Sequence, residues 1–185
     1  IRGVFKSKIL NTNLKFIFDL NDEKLKIYDS YLRNKNLTFN GESLIILKPF
    51  LDFNSKFSIQ KINLQILKKI NLDMLLTQKD IIRKINSKNQ IYFKSNKFSK
   101  NFINDLNLKI DLAYGRLNYI KNFSINENFF ECKGNINFLE ENPLLFFDCV
   151  MISNDKKKLL KEFLIKTKNS GAFNLNIKVN LSIIT

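Results

Sequence analysis

The sequence predicts a mainly β fold with a helical insertion near 62–86 and a short helix near 155–164. Its one-sided apolar strands either pack as an ordinary core or curl as a long antiparallel curved sheet forming an open groove, and periodicity alone does not choose between them. Three observations carry this reading. Apolar and polar residues alternate over long stretches, a period of two that belongs to strands and that a helix would smear around its circumference. The segment from about residue 127 to 152 aligns as a hairpin with one apolar face. Only two stretches show the three-to-four spacing of a helix.

The strands come first. In "FNLNIKVNLSI", Phe173, Leu175, Ile177, Val179, Leu181 and Ile183 fall on one face, and Asn174, Asn176, Lys178, Asn180 and Ser182 on the other. "LNLKIDL" repeats the scheme, with Leu106, Leu108, Ile110 and Leu112 against Asn107, Lys109 and Asp111. "LKFIFDL" follows it with Leu14, Phe16, Phe18 and Leu20, although Ile17 spoils the polar side. "LDFNSKFSI" follows it more weakly. Strands with one apolar and one polar face belong to antiparallel sheets covered on one side only.

A hairpin turning at Glu140-Glu141 opposes residues whose numbers sum to 281. It pairs Phe138 with Pro143, Ile136 with Leu145, Gly134 with Phe147, Cys132 with Cys149 and Phe130 with Met151. Every pair on that face is apolar or small, and Phe147 is placed over the glycine, a known way of covering a strand glycine. On the other face Lys133 meets Asp148, an opposite-charge pair. A slip of one residue would scramble the whole set. Further turns at Tyr114-Gly115 and near Asn126-Glu127 complete four consecutive antiparallel strands over about 104–153.

From Ile62 to Ile85, Leu67, Ile70, Met74, Ile81 and Ile85 form a helical stripe, read as two pieces with Asn71 or Asp73 near a cap. "DKKKLLKEF" is a short amphipathic helix with Ser153, Asn154 or Asp155 as its N-cap. No Pro- or Gly-rich seam divides the chain. Residues 1–185 therefore read as a single segment: N-terminal strands over 1–60, the helical insertion over 62–86, and an antiparallel meander with the short helix over 88–185. The chain begins at Ile1 and stops at Thr185 within an alternation, as expected for a section of a longer protein.

Composition narrows function. With no His there is no His-based nucleophile and no His-ligated metal, and two Cys cannot build a four-thiolate site. The five glycines are too dispersed for a phosphate-cradling loop. The paired carboxylates Asp22-Glu23 and Glu140-Glu141 fall at expected turns, where adjacent side chains diverge instead of converging on a substrate. The expectation is a non-catalytic protein with no cofactor and no metal. Cys132 and Cys149 are either free buried thiols or a cross-strand disulfide. The net charge of +14 points to nucleic acid or an anionic surface if taken alone. Yet the chain has 27 Lys against 4 Arg, and Lys, Asn, Ile and Phe together fill 96 of 185 positions. All four have codons made only of A and T, so genome composition accounts for the lysines. Arg, the residue suited to bidentate phosphate and base contacts, is scarce. Lys156-Lys157-Lys158 is read as a solvated helix face. No run of about 18 apolar residues is present to span a membrane as a helix.

The stretch from Asn104–Gly115 through "FSINENFFECKGNINFLEENPLLFFDCVMISNDKKKLLKEF" resembles the AsmA-like family of large envelope proteins of Gram-negative bacteria. The matching order is a strand, a turn, a glycine-bearing strand with "CKGNI", a turn before Pro143, the strand "LLFFDCVMI", and an aspartate-started helix. It covers about 60 residues. The resemblance implies a β-groove anchored to the inner membrane by a segment outside this chain. It also implies a periplasmic location, transport of phospholipid or support of outer-membrane biogenesis, and no nucleic-acid partner. It would place the Cys pair in an oxidising compartment. The expected lining for phospholipid acyl chains is Leu106, Leu108, Ile110, Leu112, Phe130, Ile136, Phe138, Leu145, Phe147, Phe173, Leu175, Ile177, Val179 and Leu181, with no charged residue needed in the path. Two rivals remain: a basic RNA- or ribosome-associated protein, in which Lys would cluster with exposed aromatics, and a structural β-sandwich without ligand.

Overall fold

The computed structural model describes residues 1–63, 77–94, 103–125, 128–162 and 164–183. Eleven strands form one open sheet in strict sequence order. They are β1 (Arg2–Ile9), β2 (Thr12–Leu20), β3 (Lys24–Arg33), β4 (Leu37–Ile46), β5 (Leu51–Ile62), β6 (Ile85–Lys94), β7 (Asp105–Ala113), β8 (Arg116–Ile125), β9 (Asn128–Asn137), β10 (Leu144–Ser153) and β11 (Phe173–Ser182). Two short helices accompany them, α1 (Lys79–Ile82) and α2 (Lys156–Glu162).

Every pairing but one is antiparallel; the exception joins β5 to β6 in parallel, with Leu51 opposite Ile85 and Ile59 opposite Phe93. A parallel pair cannot be joined by a tight turn, and β5 and β6 are separated in sequence by the stretch between Ile62 and Ile85. The helical insertion expected at 62–86 is corrected at both ends, because Ile62 closes β5 and Ile85 opens β6. Both isoleucines are β-branched and extend the flanking ladders. Leu67, Ile70 and Met74 of the expected stripe lie outside the described residues. At α1 it is Ile82 that is buried, while Ile81 is 53% exposed.

Turn chemistry sets the hairpins. Leu10 and Asn11 have φ of 43° and 62°, and Tyr114 and Gly115 have φ of 50° and 78°. Two consecutive left-handed residues match the twist of the flanking strands, the favoured geometry for a two-residue hairpin. Register shifts interrupt the β2–β3, β3–β4 and β4–β5 ladders. Such bulges sharpen the local twist. Asp29, with φ of 48°, sits at the first two of them, which meet on β3. The β9–β10 register is the one summing to 281, with Cys132 opposite Cys149 and Lys133 opposite Asp148.

Burial is sparse for a chain of this size. The solvent-accessible surface is 13487 Å², against roughly 9,300 Å² for an ordinary folded monomer of the same mass. Two apolar clusters hold six of the eight buried hydrophobic side chains among the described residues. Ile82 of α1 packs with Ile136 and Phe138, bordered by Leu112, Leu117, Leu145 and Ile183. Leu159 of α2 packs with Ile125 and Phe130, bordered by Phe123, Met151 and Phe173. Of the three candidate caps for α2, Asp155 takes the role: its Oδ1 accepts from the backbone N–H of Lys157 (2.9 Å) and Lys158 (3.2 Å). Ser153 instead accepts from the N–H of Asp155.

Leu159 has no exposed surface, and truncating a buried leucine costs both transfer free energy and a cavity. Leu159→Ala is expected to lower the unfolding free energy by about 2–4 kcal/mol in urea titration. A change below about 0.5 kcal/mol, the range of ordinary surface substitutions, would show that α2 does not hold the sheet.

Candidate functional site

Side chains alternate across a sheet, so the register assigns each strand residue to a face. All fourteen expected lining residues fall on one face. Opposite Leu108 stands Lys121, then Cys132, Cys149 and Ile177. Opposite Ile110 stand Tyr119, Gly134, Phe147 and Val179. The same face continues without interruption through Ile91 and Phe93, Phe57 and Ile59, Phe39 and Ile45, Leu25 and Ile27, then Leu14, Phe16 and Phe18, to Phe5 on β1.

The fourteen are not equivalent. Phe130, Ile136 and Phe138 are buried beneath the helices, so they are core and not open lining. Leu112, Leu145 and Phe173 border those clusters. Leu106, Leu108, Ile110, Phe147 and Val179 are partly exposed, and Leu175, Ile177 and Leu181 on the edge strand are 38%, 38% and 47% exposed. The opposite edge shows the same feature, with Phe5 44% exposed and its ring stacked on Phe16.

Polar groups on this face are few and mostly paired. Ser43 and Ser55 share a hydrogen bond of 2.7 Å, and the Asn89 amide donates to Ser87 at 3.0 Å. Tyr119, not Phe147, is the aromatic that covers Gly134: a Cβ added there would come 2.6 Å from the Tyr119 ring and also strike the Phe146 carbonyl. Burial pushes the Tyr119 hydroxyl above its ordinary pKa. Cys132 and Cys149 form a disulfide across directly opposed positions. Lys121 corrects the expectation of a charge-free path. Outside the bulges, it is the one charged side chain that the described strands place on this face.

The other face carries the lysines, interleaved with acids across the ladder. Lys26 stands opposite Asp19, Lys56 opposite Glu42, Lys88 opposite Asp111, Lys94 opposite Asp105, and Asp148 between Lys133 and Lys178. Two of these contacts are ion pairs, Lys56–Glu42 at 3.6 Å and Lys178–Asp148 at 3.7 Å. The Lys56–Glu42 pair is exposed and contributes little, whereas the Asp148 side chain is largely covered, at 13% exposure. The described hollows also open mainly on this polar face. One of about 520 Å³ lies among Lys26, Glu42, Asn54, Lys56, Lys88, Lys109 and Asp111, and one of about 660 Å³ among Ser58, Tyr92, Asp105, Asn107, Asn122 and Phe129. A small apolar spot interrupts this face, where Phe129 stands opposite Ile152. Among the described residues no three His, Cys, Asp or Glu converge to hold a metal.

No family model, curated protein or solved structure matches the chain.

Two expectations follow. The disulfide closes a loop with a sequence separation of 17, so replacing both cysteines with alanine is expected to cost about 3 kcal/mol in urea titration. An unchanged midpoint for the double variant would mean that the bond does not constrain the unfolded chain. Gly134→Ala is expected to cost about 1–3 kcal/mol, because the added methyl meets a fixed backbone carbonyl. Wild-type stability for that variant would show that β9 and β10 can separate to admit it.

Proposed function

We propose that this chain is a non-catalytic section of an AsmA-like envelope protein, and that its apolar face carries phospholipid acyl chains across the periplasm between inner and outer membranes. One observation supports the reading above the others: a single apolar face runs through all eleven strands, and much of it stays partly open to solvent. A sandwich of this length would bury that face under a second sheet. Acyl chains have no hydrogen-bonding groups, so a lining for them needs only apolar side chains, each buried methylene contributing roughly 0.8 kcal/mol. The disulfide suits an oxidising compartment such as the periplasm. The interleaving of lysines with acids favours a solvated outer face over a nucleic-acid footprint.

The test places a photo-crosslinking amino acid at Ile177 or Ile110, with Lys178 as the polar-face control. The purified chain is mixed with vesicles of phosphatidylethanolamine and phosphatidylglycerol, irradiated and weighed by mass spectrometry. Phospholipid adducts are expected from Ile177 and Ile110 and not from Lys178. Equal adducts from Lys178, or none anywhere, would reject the reading. Ile177→Asp is expected to keep the strand circular-dichroism signal and lose the adduct at Ile110. In a closed core the same carboxylate would cost roughly 3–5 kcal/mol and unfold the domain.

A further inference from the structure

Lys121 stands where an ammonium is least expected. Its neighbours across the ladder are Leu108 and Cys132, and its neighbours along the face on β8 are Tyr119 and Phe123. The diagonal positions Leu106, Ile110, Phe130 and Gly134 are uncharged as well. The Nζ lies 4.6 Å from the centre of the Phe123 ring, which is itself stacked on Phe130 at 4.6 Å. An aromatic face attracts a cation but does not neutralise it. Lysine is almost never withdrawn from water without an anion. The side chain is partly buried, and that burial pulls its pKa below the ordinary lysine range. All the other strand lysines of the described residues project from the polar face, several of them opposite an acid. Among the described residues no acid stands opposite Lys121.

We infer that Lys121 is an anion-recognition point within the apolar face, binding the phosphate of a phospholipid whose acyl chains lie on the surrounding apolar residues. A ligand that satisfies both features must be amphiphilic: an apolar chain for Leu108, Ile110 and Ile177, and a negative group for the ammonium. A charge-assisted hydrogen bond in a partly dehydrated setting is stronger than the same contact in water, so the preference for an anionic head should be measurable. This inference rests on the acyl-chain reading of the face, and the experiment separates the two.

Three probes are titrated below their micelle-forming concentrations against the 185-residue chain: lysophosphatidylglycerol, an uncharged monoacylglycerol of the same chain length, and inorganic phosphate. The wild-type chain is expected to bind the lysophospholipid about tenfold more tightly than the monoacylglycerol, the factor corresponding to about 1.4 kcal/mol. Lys121→Met keeps an apolar stem of similar length, so it is expected to fold, to bind the monoacylglycerol unchanged and to lose the tenfold preference. Lys121→Arg is expected to retain it. A wild-type preference that survives in Lys121→Met would overturn the role of Lys121 and leave the acyl-chain reading standing. Inorganic phosphate competing as well as the lysophospholipid would reduce the site to a simple anion contact and overturn the inference. Binding of none of the three probes would remove both readings together.

Discussion

Everything in this molecule depends on one geometric constraint, the two-residue period of a β-strand carried in common register through a whole sheet. Because side chains alternate, a ladder that keeps its parity from strand to strand sorts the chain into two surfaces. From Phe5 on β1 to Val179 on β11 that parity is kept, even across three bulges and the one parallel junction. A single slipped residue would turn phenylalanines outward and lysines inward on every strand beyond it. The bulges are compatible with this because each absorbs an extra residue locally and restores the phase.

The sheet leaves the two described helices a limited task. Ile82 and Leu159 cover separate patches of the apolar face on the C-terminal meander, and each patch is a few side chains wide. Stability is therefore distributed through ladder hydrogen bonds and neighbouring side-chain pairs more than gathered in one core. The disulfide joins β9 to β10, the strands that supply residues to both clusters. On the outer surface several lysines stand opposite acids, although Lys6 stands opposite Lys15 at the N-terminal edge.

The C-terminal meander was legible because its alternation is unbroken and its hairpin has only one sensible register. The N-terminal and central strands were harder to read. Ser30, Gly41, Ser43, Ser55 and Asn89 occupy the apolar face there, while Ile17, Leu44 and Ile46 occupy the polar one, and bulges shift the phase between them. Three to four apolar spacings from Ile62 to Ile85 looked helical at both ends, where ladder pairing with β4, β5 and β7 draws the chain into strands. The sequence carries a signal for Lys121. In "LNYIKNFSI", Asn118, Asn122 and Ser124 mark the polar parity, which puts residue 121 on the apolar side. Composition gave no clue, since one lysine among 27 carries no weight by number. The cover over Gly134 came from β8, whereas the hairpin considered alone offered only Phe147.

The parallel junction between β5 and β6 divides assembly as well as topology. Within each meander every pairing is antiparallel and between strands adjacent in sequence. All but the β10–β11 connection, which carries α2, bring the new strand back within about ten residues, so loop-closure cost is small. Between the meanders, Leu51 must meet Ile85 after the chain has crossed from one end of the strands to the other. No pair of that ladder is close in sequence, whereas each antiparallel ladder starts from a nearer pair, so the entropy of the parallel pairing is lost before its hydrogen bonds are gained. Each antiparallel half can thus pair within itself without the parallel seam, which has no nearby pair to start from.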